Sequence, residues 1–198
     1  MSGKFHVITG GPGSGKSSLI RALAGHGIGH MPEAGRAIIQ DQMAIDGPAL
    51  PWRNQKAFAE MMLAWDLRSY REAQDRQGSI MFDRGIPDVI GYLTLCGISV
   101  PDHLRRAADL CRYDRLVFLA PHWPAIYRQD QERHQSPGEA AATCAVMREV
   151  YRSLGYDLLP LPLGSVEERV AFVKSRIGDT ATETANQARA SPPIAALL

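Results

Sequence analysis

His6–Ile20 reads HVITGGPGSGKSSLI: an apolar run, then four glycines within six residues, then lysine, serines and a second apolar run. Glycine weakens regular structure by roughly 0.5–1 kcal/mol relative to alanine, so so dense a cluster between a strand and a helix has to provide something that regular structure cannot. Gly10, Gly15, Lys16 and Ser17 fill the fixed positions of GxxxxGK[ST], with an apolar strand pattern before them and a helical pattern after. Across Gly10, Gly11, Pro12, Gly13, Ser14 and Gly15 the backbone is free to turn successive N–H groups inward into an anion nest. The helix that follows aims its positive end at the same point. Lys16 is then placed for β- and γ-phosphate oxygens, and the Ser17 hydroxyl, with Ser18 beside it, for Mg²⁺. The stretch predicts a site for a nucleoside triphosphate, ATP or another NTP, with Mg²⁺.

Working outward, strand and helix patterns alternate. Lys4–Thr9 reads as a strand, Ser14–Ala24 as a helix, Gly29–Pro32 as a short strand and Gly35–Ile45 as a helix. Gln55–Gln77 is the longest helix, with Phe58, Met61, Met62, Trp65 and Leu67 mostly on one face and a polar edge placed to line a pocket. Ser79–Phe82 is a strand, Pro87–Leu95 and Pro101–Cys111 are helices, and Arg115–Leu119 is a strand. A helical region from Pro124, a helix over Glu139–Leu154, a strand at Asp157–Leu159 and a helix at Val166–Ile177 complete the series. Strands separated by helices predict an α/β fold with a parallel sheet covered on both faces. Residues 1–178 form one domain in this reading, and the small, polar, proline-bearing stretch 179–198 a loose tail.

The bulk composition narrows the field. The chain has 198 residues, 45% apolar and 22% charged, with net charge +1, so no general field favours nucleic acid or an anionic membrane, and anion binding has to be local. No basic, aromatic-interleaved stripe points to nucleic acid. The cysteines, Cys96, Cys111 and Cys144, form no CxxC pair, which suits reduced thiols and a cytoplasmic location. No apolar run approaches the ~18 residues of a membrane span, and the first strand starts too early for a cleaved leader.

Three further clusters carry candidate chemistry. In SIMFDRGIPD, Asp83 ends an apolar strand and Arg84 follows. Ligands of doubly wound sheets sit beyond the carboxyl ends of strands, so Asp83 is expected to face the loop, holding metal or taking a proton from an acceptor hydroxyl, with Arg84 beside an incoming anion. The structural alternative is an aspartate capping the next helix. Glu33, in MPEAGR, is placed to bind an acceptor hydroxyl, to act as base, or merely to cap a helix starting near Ala34; Arg36 is placed for a substrate anion or for solvent. In YRQDQERHQ, Arg128, Asp130, Arg133 and His134 fall within two helical turns. Arginines there suit the charge spread over a transferring phosphoryl group, and a mobile helix bearing them would exclude water. A solvated charged face is the competing account, and His134 belongs to it.

Taken together, GGPGSGKS, PEAGR, FDRGIPDVIGYL, RLVFLAPHWPAIYRQDQER, YRSLGYDLLPLP and SVEERVAF resemble a family of stand-alone ATPases with the P-loop kinase fold, similar to nucleoside, nucleotide and nicotinamide-riboside kinases. The resemblance spans Gly3 to Ile177. It implies a three-layer P-loop NTPase with a five-stranded parallel sheet, the loop strand at its centre, helices on both faces and a helical lid. It further implies that Asp83–Arg84 is the Asp-Arg pair near acceptor and metal, that Arg128 and Arg133 belong to the lid, and that the segment Pro160–Val166 lies near the adenine.

Two functions remain. One is a phosphotransferase moving the γ-phosphoryl of ATP to a small nucleoside-like acceptor, with Lys16, Glu33, Asp83, Arg84, Arg128 and Arg133 as catalytic candidates and Ser17 and Asp83 as metal ligands. The other is a nucleotide-dependent switch acting through a protein or lipid partner. No NKxD motif supports a G-protein switch, and no second helical domain supports a larger AAA+ machine.

Overall fold

The computed structural model describes the backbone of residues 4–126 and 137–190. Five strands form one parallel sheet: β1 Lys4–Gly10, β2 Gly29–Met31, β3 Ser79–Asp83, β4 Leu116–Ala120 and β5 Asp157–Pro160, in the order β2-β3-β1-β4-β5. The helices are α1 Lys16–Gly25, α2 Ala34–Ala44, α3 Gln55–Gln74, α4 Ile86–Leu95, α5 Asp102–Leu110, α6 Pro137–Ser153 and α7 Val166–Ala190, with a 3₁₀ turn at Pro124–Ile126. The loop strand is central, as the resemblance implied, and Ile8 pairs with Asp83 on one side and Phe118 on the other. The ends of β1 and β3 therefore reach the same level, which is what brings Asp83 to the loop.

Alternation along β1 divides the interior into two layers. Phe5 and Val7 point to one face, where they join Ile80, Phe82, Tyr113, Val117 and Tyr151; Ile8 points to the other, with Leu19, Leu23, Met81, Phe118, Val170 and Val173. Strands buried on both faces read as continuous apolar runs, which is why SIMF and LVFLA carry no polar alternation. The first layer is rich in aromatic edge contacts, Phe82–Tyr113 at 5.1 Å among them. Helix α1 packs with α7 on the second face.

Helix α3 starts where Asn54 Oδ1 accepts the Ala57 N–H at 3.0 Å, a cap of the kind that contributes about 1 kcal/mol. Helix α7 departs from expectation: its backbone stays helical to Ala190, past the boundary at 178 and into the stretch read as tail. TATETANQARA contains no glycine or proline and is rich in alanine, the best helix former; the proline pair comes only after it. Among the described residues no helix is long and apolar enough to cross a membrane.

Candidate active site

The loop after β1 is shaped by its carbonyls. Gly10 O accepts from Lys16 Nζ at 3.3 Å and Arg84 Nη1 at 2.9 Å, Gly11 O from Lys16 Nζ at 2.7 Å and Ser14 Oγ at 2.8 Å, and Ser14 O from an Arg169 guanidinium nitrogen at 3.0 Å. In a trans peptide the next N–H points opposite the carbonyl, so tying the carbonyls to cations leaves amides on the other side for an anion. Three glycines are sterically required: a Cβ on Gly11 would collide with Ala140 O, and the other two add a positive φ. Gly10 has φ 131° and a Cβ there would collide with Ala120 O; Gly15, the α1 N-cap, has φ 76° and a Cβ would lie 2.7 Å from Arg169. Burial, aided by Arg84, lowers the Lys16 ammonium to about 8; a polyphosphate beside it would restore its ordinary range.

Asp83 does not cap α4. Gly85 is the N-cap, and the carboxylate that accepts its N–H, at 3.1 Å, belongs to Asp88. Asp83 instead receives the Ser17 hydroxyl on Oδ2 at 3.3 Å, while its Oδ1 is buried with no hydrogen-bond partner among the described residues. Burial and the neighbouring Glu33 raise its carboxyl above the ordinary range, opposed by Lys16 and Arg84. A hydroxyl and a carboxylate with one oxygen unsatisfied are hard oxygen donors suited to Mg²⁺, which usually takes one or two protein carboxylates and completes its shell with phosphate and water. Among the described residues there is no cluster of three or more His, Cys, Asp or Glu that would hold a metal unaided. Ser17 and Asp83 fit the ion, and the loop fits the triphosphate.

Arg84 holds the site together. It has φ 71°, a left-handed backbone for a residue with a Cβ, a conformation that costs of order 1–2 kcal/mol. Its Nε donates to Glu33 at 2.9 Å and its Nη1 to Asp88 at 3.1 Å as well as to Gly10 O. Glu33 is the N-cap residue of α2 yet makes no side-chain cap, so the guanidinium, not the helix, claims its carboxylate. Burial alone would raise Glu33, but Arg84 and then Lys16 outweigh it and hold the carboxyl below its usual value. Arg84 is likewise held firmly protonated by Glu33, Asp88 and Asp83 despite burial.

Four residues that the sequence reading did not single out complete the site. Asp88 accepts from Thr9 Oγ1 at 2.6 Å and from Tyr151 OH at 2.7 Å in addition to Arg84 and Gly85; a Gly-x-x-Asp opening a helix is the signal that pointed to it. Arg169 reaches the loop from α7 and lies 5.8 Å over the ring of Trp123, itself another of the four. Asp66 follows Phe58 and Met62 at steps of four residues on α3, a carboxylate in phase with an apolar stripe. All four, with the loop, Glu33 and Arg36, line one cavity of about 1130 Å³. Gly164, Ser165 and Val166, at the end of the segment placed near the adenine, line it too. Arg128 and Arg133, with Asp130 and His134, lie outside the described residues, as does the expected lid.

Asp66 supplies a stability test. Burial, then the Asp88 and Glu33 carboxylates, push its carboxyl well above the ordinary range. A carboxyl whose folded value exceeds its unfolded one, about 4, favours folding below that pH and withdraws the support as pH rises through the folded value. Asp66→Asn is expected to melt a few degrees above wild type at pH 7, the gap closing towards pH 4; a calorimetric pH series on both proteins measures it, and a variant that melts lower at pH 7 contradicts the assignment.

Residues 5–169 match the family described as an AAA domain. No curated protein matches the chain in sequence. Among solved structures it is similar to deoxyadenosine kinase from M. mycoides with bound dATP, at 14% identity and TM-score 0.61, over 88% of this chain and 99% of that one. It is similar to thymidylate kinase from Candida albicans at 14% identity and TM-score 0.65, over 91% of this chain and 93% of that one. A third similarity is to the NadR protein in complex with NR, at 17% identity and TM-score 0.60, over 80% of this chain but 43% of that longer one. At such identities the likeness is one of fold: the three-layer P-loop kinase architecture with its five-stranded parallel sheet.

Proposed function

The chain belongs to this AAA-domain family, and from that premise we propose that it is a Mg²⁺-dependent phosphotransferase that moves the γ-phosphoryl of ATP to a hydroxyl of a small nucleoside-like acceptor. The observation that carries the reading is the Ser17–Asp83 pair, with one buried carboxylate oxygen unsatisfied, at the foot of a loop whose carbonyls are tied back by three cations. Ser17 of that pair lines a cavity that also reaches residues of α2, α3 and α4, space that a nucleotide switch would not need.

The loop amides and Lys16 hold the polyphosphate. Ser17 and Asp83 hold Mg²⁺, which when bound neutralises charge on the transferring group. Glu33, ionised at the cavity wall, takes the proton of the acceptor hydroxyl as its oxygen bonds to the γ-phosphorus and the bond to the β,γ-bridging oxygen breaks, releasing ADP. Arg84 orients Glu33 and keeps Nη2 for an oxygen of the moving group. Positioning and electrostatics supply the rate, since phosphoryl transfer asks little covalent chemistry of a protein. The lid arginines, Arg128 and Arg133, are proposed to close on the same charge.

The test is ADP release from Mg·ATP across a panel of nucleosides and ribosides. Acceptor-dependent release supports the reading; release at one rate with or without any acceptor sinks it in favour of an ATPase or switch. Lys16→Ala is expected to weaken Mg·ATP binding by about 10- to 100-fold, the worth of a charged hydrogen-bonding group, as read by titration calorimetry. Undiminished affinity would remove the loop from the account.

A further inference from the structure

Three cations tie back the carbonyls of the loop, and two of them have other work. Lys16 is proposed for phosphate oxygens, and Arg84 is matched by Glu33 and Asp88. Arg169 is different. It stands in the first turn of α7, only 2% exposed, and among the described residues no carboxylate pairs with it. Its partners are the Ser14 carbonyl, 3.0 Å from Nη1, and the face of the Trp123 ring. Its Nε is buried with no hydrogen-bond partner among the described residues. The two acids next to it in the chain do not compensate it: Glu167 and Glu168 are exposed, and Glu168 accepts the Ser165 N–H at 2.7 Å.

The fold alone gives no reason for a guanidinium here, since an apolar side chain of similar length would fill the space without the cost of desolvating a charge. The loop gives one. With Ser14 O held by Nη1, the Gly15 N–H across the same trans peptide points the other way, where the start of α1 directs its positive end. A Cβ on Gly15 would lie 2.7 Å from Nη1, so the guanidinium rests directly against the peptide it orients. We propose that Arg169 is a positioning residue for the nucleotide: it turns the Gly15 N–H towards the polyphosphate, and the polyphosphate is the counter-charge that the buried guanidinium lacks. This rests on the loop being the triphosphate site, and it adds a residue of α7 that gains its ionic partner only when that site is filled. Burial with no opposing acid lowers the proton affinity of Arg169, as expected of a cation whose partner arrives with the ligand.

The experiment compares wild type, Arg169→Met and Arg169→Lys as whole proteins. Each is melted without ligand and titrated calorimetrically with Mg·tripolyphosphate and with Mg·ATP. Without ligand, Arg169→Met should melt within about 3 °C of wild type or above it, because a lost hydrogen bond is offset by removal of an uncompensated charge. Its affinity for both ligands should fall by the same factor, about 10- to 100-fold, and Arg169→Lys, which keeps the charge and a donor for Ser14 O, should recover most of that loss. An unliganded Arg169→Met that melts lower than this makes Arg169 a strut of the fold and overturns the proposal. So do unchanged affinities, a loss confined to Mg·ATP, or a lysine variant no better than methionine. Wild type that binds neither ligand removes the triphosphate reading of the loop and this inference with it; wild type that binds both while Arg169→Met binds equally well removes the inference alone.

Discussion

Asp83→Asn is expected to lower turnover by roughly 10²–10⁴-fold while leaving Mg·ATP affinity within a few-fold. The substitution keeps size and shape, so the Ser17 hydroxyl retains a neighbouring oxygen and the strand end is undisturbed. What disappears is the negative charge facing Lys16 and the proposed metal position, and with it one carboxylate oxygen. Because the loop amides and Lys16 are the groups proposed to carry most of the polyphosphate contact, binding is expected to survive where chemistry does not. Single-turnover kinetics beside a calorimetric affinity separate the two. Turnover within a few-fold of wild type would return Asp83 to a merely structural role and take the proposed mechanism with it.

Asp88→Ala should be the most damaging substitution for stability. Its carboxylate gathers two hydroxyls, a guanidinium and a backbone amide at 2.6–3.1 Å, and the two hydroxyl residues, Thr9 and Tyr151, are fully buried. Removing the acceptor leaves all four donors without it, the Thr9 and Tyr151 hydroxyls in a place water does not reach. Breaking a buried charged partnership typically costs about 3–5 kcal/mol, and a domain of this size loses roughly 2–4 °C of Tm per kcal/mol, so a drop on the order of 10 °C is expected in thermal unfolding. Asp88→Asn, which keeps one acceptor oxygen, should lose less. A shift of under two degrees in the alanine variant would mean that the network contributes little.

The parts of the molecule legible in the sequence are those written in contiguous residues. The loop announces itself because its fixed positions, the strand before it and the helix after it are adjacent in the chain, and the buried strands because their apolar runs are short and sharply ended. Asp83 and Glu33 are each readable in the sequence as chemistry or as helix caps; the structure shows neither side chain as a cap, with the Gly85 N–H at the start of α4 held by Asp88 and Glu33 paired with Arg84. Asp66 and Arg169 were invisible for a different reason. The significance of Asp66 depends on α3 packing against α2 and α4, and that of Arg169 on α7 being laid against a loop 155 residues away, which no window of the sequence contains. The far end of α7 runs beyond the helix expected at Val166–Ile177 because alanine in a stretch without glycine or proline favours helix, a preference that small polar residues mask.

The left-handed conformation of Arg84 also bears on how this protein can change over time. Glycine would adopt φ 71° without strain, but it has no guanidinium to offer. The same mutation that would relax the backbone would disconnect Glu33, Asp88 and the loop carbonyl at a stroke. The partnerships lost, at about 3–5 kcal/mol, outweigh the roughly 1–2 kcal/mol of strain relieved, so laboratory selection for thermal tolerance should keep arginine at this codon.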